Sequence, residues 1–281
     1  MTNLLVAIKN IIENPVNELV EYYKGTNRAN NMGDALEKYV KDAFCGIDNT
    51  LSDIERDKQY SQYFSYLGNT NNPPDLILKN GDAVEVKKNE SLNSAIALNS
   101  SYPKSKLYVD DSRITVDCKK CEDTPWLEKD IIYVIGYNPK NTRILRSICL
   151  IYGDCYAASK EIYTQFTDKI SQGIQEIEGI ELVATNELAK VKKIDPLGIT
   201  DLRVRGMWHI ESPMKVYKDF FTLTDSASFS LNAIILLDKY NSFPEQDRFY
   251  LEQKGIVSEI EIKSPNNPAK LLKAKLISYE K

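Results

Sequence analysis

Asp75, Glu85 and Lys87 are the residues of this chain whose types and spacing best suit chemistry. Glu85 and Lys87 stand two apart in Ala83-Val84-Glu85-Val86-Lys87-Lys88. On a strand they project from one face, while Val84 and Val86 project from the other and can enter a core. Hydrolysis of a phosphodiester needs a nucleophilic water, an electrophile on the phosphate and relief of charge on the leaving oxygen. Magnesium held by one or two carboxylates, with several waters kept, supplies much of this. Asp75 and Glu85 are the expected metal ligands. Lys87 would orient the attacking water, lower its pKa or neutralise charge developing on the phosphate, and the sequence leaves these three roles open. The plainer alternative is a solvated edge hairpin, because a triplet this short also arises by chance.

Composition narrows the chemistry further. His209 is the only histidine in 281 residues, which excludes a His-rich zinc site and argues against a histidine general base among histidine metal ligands. Any hydrolysis here rests on carboxylates and lysine. The five cysteines are odd in number and a chain of this length needs no staples, so they read as reduced thiols. Cys118-Lys119-Lys120-Cys121 is a lone pair with no second pair nearby to complete a zinc site. The net charge of -4 argues only weakly against a nucleic-acid partner, since binding depends on local basic surface. No apolar run is long enough to span a membrane. The first residues carry no basic segment, so no signal peptide is expected and a cytoplasmic protein follows.

The elements that must position the triplet are legible in outline. Residues 75–88 alternate with period two around Lys79-Asn80-Gly81-Asp82, a hairpin signal. A plain two-residue Asn80-Gly81 turn would pair Asp75 with Val86 and point it to the wrong face. Asp75 joins Glu85 and Lys87 only through an odd-length loop, a bulge or a bend, for which Pro73-Pro74 leaves room. Residues 4–23 read as two short helices broken at Pro15, and residues 32–44 as an amphipathic helix burying Leu36, Tyr39, Val40 and Phe44. Residues 131–136, 148–152, 229–237 and 256–262 read as strands, and 159–178 as a helix. A strand-rich centre flanked by helices is α/β, and no linker divides residues 1–281, so one domain is expected.

Further candidates surround the triplet. Glu37 lies on the helix 32–44, either exposed or aimed at the metal. Asn99-Ser100-Ser101-Tyr102-Pro103-Lys104 is polar and basic, and reads as an ordinary loop or as DNA contacts through Asn99, Ser100, Ser101 and Lys104. Arg203 and Arg205 share a face if their segment is a strand; they form structural salt bridges or read guanine in the major groove. Arg28, Asn30 and Asn31, ahead of the Glu37 helix, are candidates for backbone contact. His209 is expected to be structural.

Longer stretches carry a resemblance. Arg28–Glu37, Tyr66–Asn69, Asn72–Asp75, Gly81–Lys88, Ala97–Tyr108, Asp195–Thr200 and Leu202–Trp208 resemble the NgoPII family of type II restriction endonucleases. The likeness runs from the N-terminus to about Trp208, and the C-terminal third, about 209–281, is unfamiliar, with room for dimerisation or specificity elements. The resemblance implies a PD-(D/E)xK restriction-endonuclease-like core, a mixed central β-sheet flanked by helices, and cleavage of duplex DNA at GGCC with Mg2+, for which Mn2+ would substitute. Asp75, Glu85 and Lys87 fall on that motif, and Glu37 falls where many such enzymes place a helix glutamate near the site. A palindromic target would suit a homodimer. No membrane and no nucleotide cofactor are expected. Two rivals stand beside this reading: a structure-specific or repair nuclease sharing the triplet, and a non-catalytic DNA-binding protein.

Overall fold

The computed structural model describes residues 2–16, 18–19, 28–47, 50–69, 71–98, 100–177, 181–183 and 187–281, with backbone alone for 28–31. Helix α1 (Leu4–Glu13) starts where the Asn3 side chain accepts hydrogen bonds from the Leu5 and Val6 amides. It ends before Pro15; the second half of the expected 4–23 helix pair falls largely outside the described residues. Helix α2 (Arg28–Cys45) begins one turn earlier than its apolar pattern suggests. Its buried stripe of Met32, Ala35, Leu36, Tyr39, Val40, Ala43 and Phe44 follows the three-and-four spacing of one helix face. Helix α3 (Asp53–Tyr63) opens on a Ser52–Glu55 capping box, with each side chain bonded to the other's backbone amide.

A long series of strands follows: β1 (Phe64–Asn69), β2 (Asn72–Leu78), β3 (Ala83–Asn89), β4 (Ile96–Ala97) and β5 (Lys106–Tyr108). After the short helix α4 (Val116–Lys119) come β6 (Glu128–Tyr137), β7 (Ser147–Tyr152) and α5 (Gly153–Tyr156). Helix α6 (Lys160–Gln175) matches the expected helix within a few residues. It leads to β8 (Glu181–Leu182), β9 (Ala189–Lys192), β10 (Leu202–Val204), β11 (His209–Ile210) and α7 (Pro213–Val216). The C-terminal elements are β12 (Ser230–Leu236), α8 (Leu237–Ser242), α9 (Glu245–Gln253), β13 (Val257–Lys263) and β14 (Leu271–Glu280).

Nine strands form one mixed sheet in the order β1-β2-β3-β6-β7-β12-β14-β13, with β5 added beside β6. The β3–β6 and β7–β12 pairs are parallel and the rest are antiparallel. All six residues of β7 are buried, as expected of a strand covered on both faces. Helix α2 packs on this sheet with Leu36 pressed onto Gly136 of β6, where a Cβ would lie 2.6 Å from a Leu36 methyl. The unfamiliar C-terminal third therefore contributes three strands to the central sheet. One ionic brace ties it to the hairpin. Lys239 of α8 donates to Asp82 (2.8 Å), at the head of β3, and to Asp130 (2.7 Å) of β6, while Tyr152 of β7 donates to Asp82 (2.6 Å). No helix among the described residues is long and apolar enough to cross a membrane.

Candidate active site

The β2–β3 register decides where Asp75 points. Leu76 pairs with Val84 and Ile77 with Ala83, so the same register sets Asp75 opposite Glu85 rather than Val86. The difference is one residue of loop. Leu78 donates to the Asp82 carbonyl (3.0 Å), leaving the three-residue loop Lys79-Asn80-Gly81. Asn80, not Gly81, takes the left-handed conformation, with φ 53°; asparagine tolerates it better than most residues. An odd-length loop was one of the three devices able to bring Asp75 to the Glu85 face, and it is present; the β1–β2 ladder also slips between Leu67 and Asn69, where Pro73, Pro74 and Asp75 face Gly68 alone.

Side chains finish the placement. Extending the register sets Val86 opposite Pro74, and the Val86 amide instead donates to Asp75 Oδ2 (2.6 Å). Gly68 of β1 lies on the other side of Asp75: a Cβ there would sit 2.5 Å from the Asp75 carbonyl oxygen, so only glycine lets the two backbones approach. Lys87 Nζ lies 2.5 Å from Glu85 Oε1 and 3.8 Å from Asp75 Oδ2. The second Glu85 oxygen, Oε2, is buried with no hydrogen-bond partner. An orphaned carboxylate oxygen in so enclosed a place is costly unless a ligand meets it.

The field at the site is strongly perturbed. Burial, then the nearby Glu85 carboxylate, push the Asp75 carboxyl up to about 7, against the pull of Lys87 and the Val86 amide. Burial works against the charge of Lys87, but Glu85 and Asp75, with Glu37 behind them, hold its ammonium above the ordinary lysine range. Buried carboxylates crowded in this way repel one another, and a divalent cation would relieve that repulsion.

Asp75, Glu85 and Lys87 open into a cavity of about 160 Å³, also lined by Ser100, Ser101 and Tyr102. Ser101 Oγ is a second buried oxygen without a partner. Glu37 stands elsewhere. It lines a separate cleft of about 860 Å³ with Val86 and Lys88, residues of the opposite β3 face, and among the described residues only Asp75 and Asn69 border both spaces. Its carboxylate is held by Lys41 at 2.6 Å, and it reaches Asp75 and Lys87 through its field. Among the described residues no three carboxylate, histidine or cysteine side chains converge as a metal cage. Asp75 and Glu85 are a pair of carboxylates on the cavity wall that could hold a cation.

Other expected residues scatter. Lys104 was expected at DNA, but its side chain is 3% exposed, ion-paired with Asp111 and set over the Tyr102 ring, so it is a structural cation in the cleft wall. Arg203 and Arg205 both grip Glu187 on the small sheet β8–β9–β10. Asn99 lies outside the described residues, as do the side chains of Arg28, Asn30 and Asn31, whose backbone, Asn99 excepted, forms the first turn of α2. Cys118 is buried, its thiol pushed up to about 12 by burial, and Cys121 sits by Ser65. Sequence reasoning missed Gly68, Glu187 and Arg113. Arg113 lines the cavity, and its carbonyl accepts a hydrogen bond from Asn72 (2.7 Å). None of the three carries a pattern of its own, because each matters through a neighbour distant in the chain.

A family model described as NgoPII restriction endonuclease matches residues 2–266. The chain is 49% identical over 279 residues to the type II restriction enzyme NgoPII of Neisseria gonorrhoeae, covering 99% of each chain. No solved structure matches.

Proposed function

This chain belongs to the NgoPII restriction endonuclease family, and on that premise we propose that it cuts double-stranded DNA at GGCC using Mg2+, with Mn2+ able to substitute. The observation that carries the reading is one shared face. It presents Asp75 opposite Glu85, Lys87 on Glu85, and a buried Glu85 oxygen without a partner. These oxygens are the hard donors that magnesium takes, and one or two carboxylates suffice when waters complete the shell. Magnesium bound there would polarise the phosphate and lower the pKa of water.

The protein's own groups account for the remainder. Asp75 is steadied by the Val86 amide and Glu85 by Lys87, so both carboxylates are fixed before DNA arrives. Lys87 spends one of its three protons on Glu85 and has others to steady a water or a phosphate oxygen. Glu37 biases the same groups electrostatically from the far side of β3. We read residues 1–281 as a single endonuclease domain acting as a cytoplasmic homodimer, one site per strand of a palindrome. Ser100 and Ser101 on the cavity wall, and Asn99, Arg28, Asn30 and Asn31, remain our candidates for contact with the DNA backbone.

The test is digestion of plasmid DNA of known sequence with magnesium or chelator, beside Asp75→Ala. Discrete magnesium-dependent fragments ending at GGCC, absent with the variant, are expected. Cutting that survives chelation or the substitution would remove the mechanism, and fragments ending at another sequence would remove the target.

A further inference from the structure

Arg203 and Arg205 are both paired with Glu187, but not in the same way. Arg203 commits one whole edge of its guanidinium: Nε lies 2.8 Å from Glu187 Oε2 and Nη2 lies 2.6 Å from Oε1. Arg205 is held through Nε alone, on Glu187 Oε1. Its outer Nη1–Nη2 edge makes no hydrogen bond among the described residues, and its side chain is 57% exposed while that of Glu187 is 10% exposed. A guanidinium has two edges that can grip paired acceptors. On Arg203 one edge is used up; on Arg205 the outer edge is presented to solvent and its direction is set by the tether.

Resting on the duplex-DNA reading above, we propose that Arg205 reads guanine through its outer edge, and that Arg203 and Glu187 are positioning residues that aim it. Guanine offers O6 and N7 in the major groove at the spacing of that fork. A phosphate contact needs charge, whereas base reading needs orientation. Here one carboxylate is set against two guanidiniums, which gives up charge and gains orientation, and so favours the base edge. Holding Nε in advance also lowers the ordering cost on binding.

The surroundings support a rigid mount. Leu188 donates to the Val204 carbonyl (3.1 Å) between the two arginines, and Leu98 donates to that of Trp208 (2.8 Å), three residues after Arg205. The Trp208 ring meets Tyr102 and Tyr163 edge-on. Glu187, Gly206 and Trp208 line a cleft with Ser100, Tyr102 and Arg113, and these last three also line the catalytic cavity. The carboxylate that tethers Arg205 therefore borders a cleft that shares its wall with the catalytic cavity.

The test uses the full-length protein with calcium in place of magnesium and a duplex holding the target mapped from its cleavage fragments. Affinity is measured with guanine and with 7-deazaguanine, which lacks the N7 acceptor, in that target. Wild type should lose about tenfold on 7-deazaguanine. Arg205→Ala should bind the normal target about 10–100-fold more weakly and be indifferent to 7-deazaguanine. Arg205→Lys, which keeps the charge and loses the fork, should match it, so a folding defect in one variant does not decide the matter. Arg203→Ala and Glu187→Gln should weaken binding about 3–10-fold and keep the N7 sensitivity. Sensitivity retained in Arg205→Lys, or absent from wild type, overturns the assignment while leaving the nuclease reading intact. So does an equal loss on specific and unrelated duplexes with a shallower salt dependence, which would mark a phosphate contact. A protein that neither cuts duplex DNA nor prefers any sequence overturns both.

Discussion

The hairpin proposed to be catalytic and the arginine-bearing strands are both antiparallel pairs, yet they hold their charged groups by opposite means. Strands β2 and β3 sit inside the nine-stranded sheet, with Leu76, Ile77, Ala83 and Val84 fully buried. Register carries Asp75 and Glu85 to one face, and the Val86 amide and the close approach of Gly68 hold Asp75 there. Strands β9 and β10 belong to a three-stranded sheet whose Leu202 is half exposed, and there a shared glutamate does the aiming. Chemistry tolerates little error in position, which suits a backbone-fixed site. Reading a base edge, as proposed for Arg205, is served by a side chain that a partner orients without burying.

If this contrast is right, the hairpin should be the more sensitive of the two. The largest effect is expected from Glu85→Ala and Lys87→Ala. Single-turnover cleavage of a target duplex should fall by about 10³-fold or more while equilibrium binding changes only a few-fold. Cutting at a wild-type rate by either variant would break the comparison at its stronger side. Next comes Gly68→Ala, which touches no reacting group. Its methyl must displace the Asp75 backbone, and a shift of about 1 Å should cost on the order of 100-fold in cleavage, with duplex affinity nearly unchanged. An unaffected rate would show that Asp75 is not held by backbone approach.

The C-terminal third enters the comparison through Lys239. Replacing it with methionine leaves Asp82 and Asp130 without their shared cation. A loss of about 2–4 kcal/mol in urea unfolding is expected, with cleavage lost in proportion to misplacement of β3. A neutral outcome would make the brace incidental.

How much of this could be read from sequence differs between the same two regions. The triplet was visible because strand alternation places Glu85 and Lys87 together, and counting across Asn80-Gly81 exposed the need for an odd loop. The loop length itself rests on which residue goes left-handed, and a two-residue reading was equally local. Strand β14 was missed, since Leu271–Glu280 mixes charge with apolar residues; its pairing with β12 decides it, not its own pattern. Lys104 misled because a lysine in a polar loop reads as exposed, and nothing nearby announces that Asp111 will bury it. Arg203 and Arg205 were found as a pair, while Glu187, sixteen positions before Arg203, was invisible until the strands met.

The smallest expected effect is also the most diagnostic of the hairpin's electrostatics. Asp75 is pushed up to about 7 by burial and by Glu85, well above an ordinary aspartate, with Lys87 pulling the other way and Glu37 adding to the rise from α2. Between roughly pH 4 and pH 7 the folded, metal-free protein therefore binds more protons at this residue than the unfolded chain does. Its contribution to stability is complete at low pH and is lost as pH rises through 7. Asparagine keeps an acceptor for the Val86 amide but carries no titrating charge. Metal-free Asp75→Asn should thus match wild type near pH 4 and exceed it by about 1–3 kcal/mol at pH 8, measured as the difference between two urea titrations. Magnesium should narrow that gap at pH 8 by stabilising wild type alone. A variant that tracks wild type at every pH would mean that the carboxylate is already relieved in the free protein, and the hairpin would then be no more charge-starved than the arginine pair.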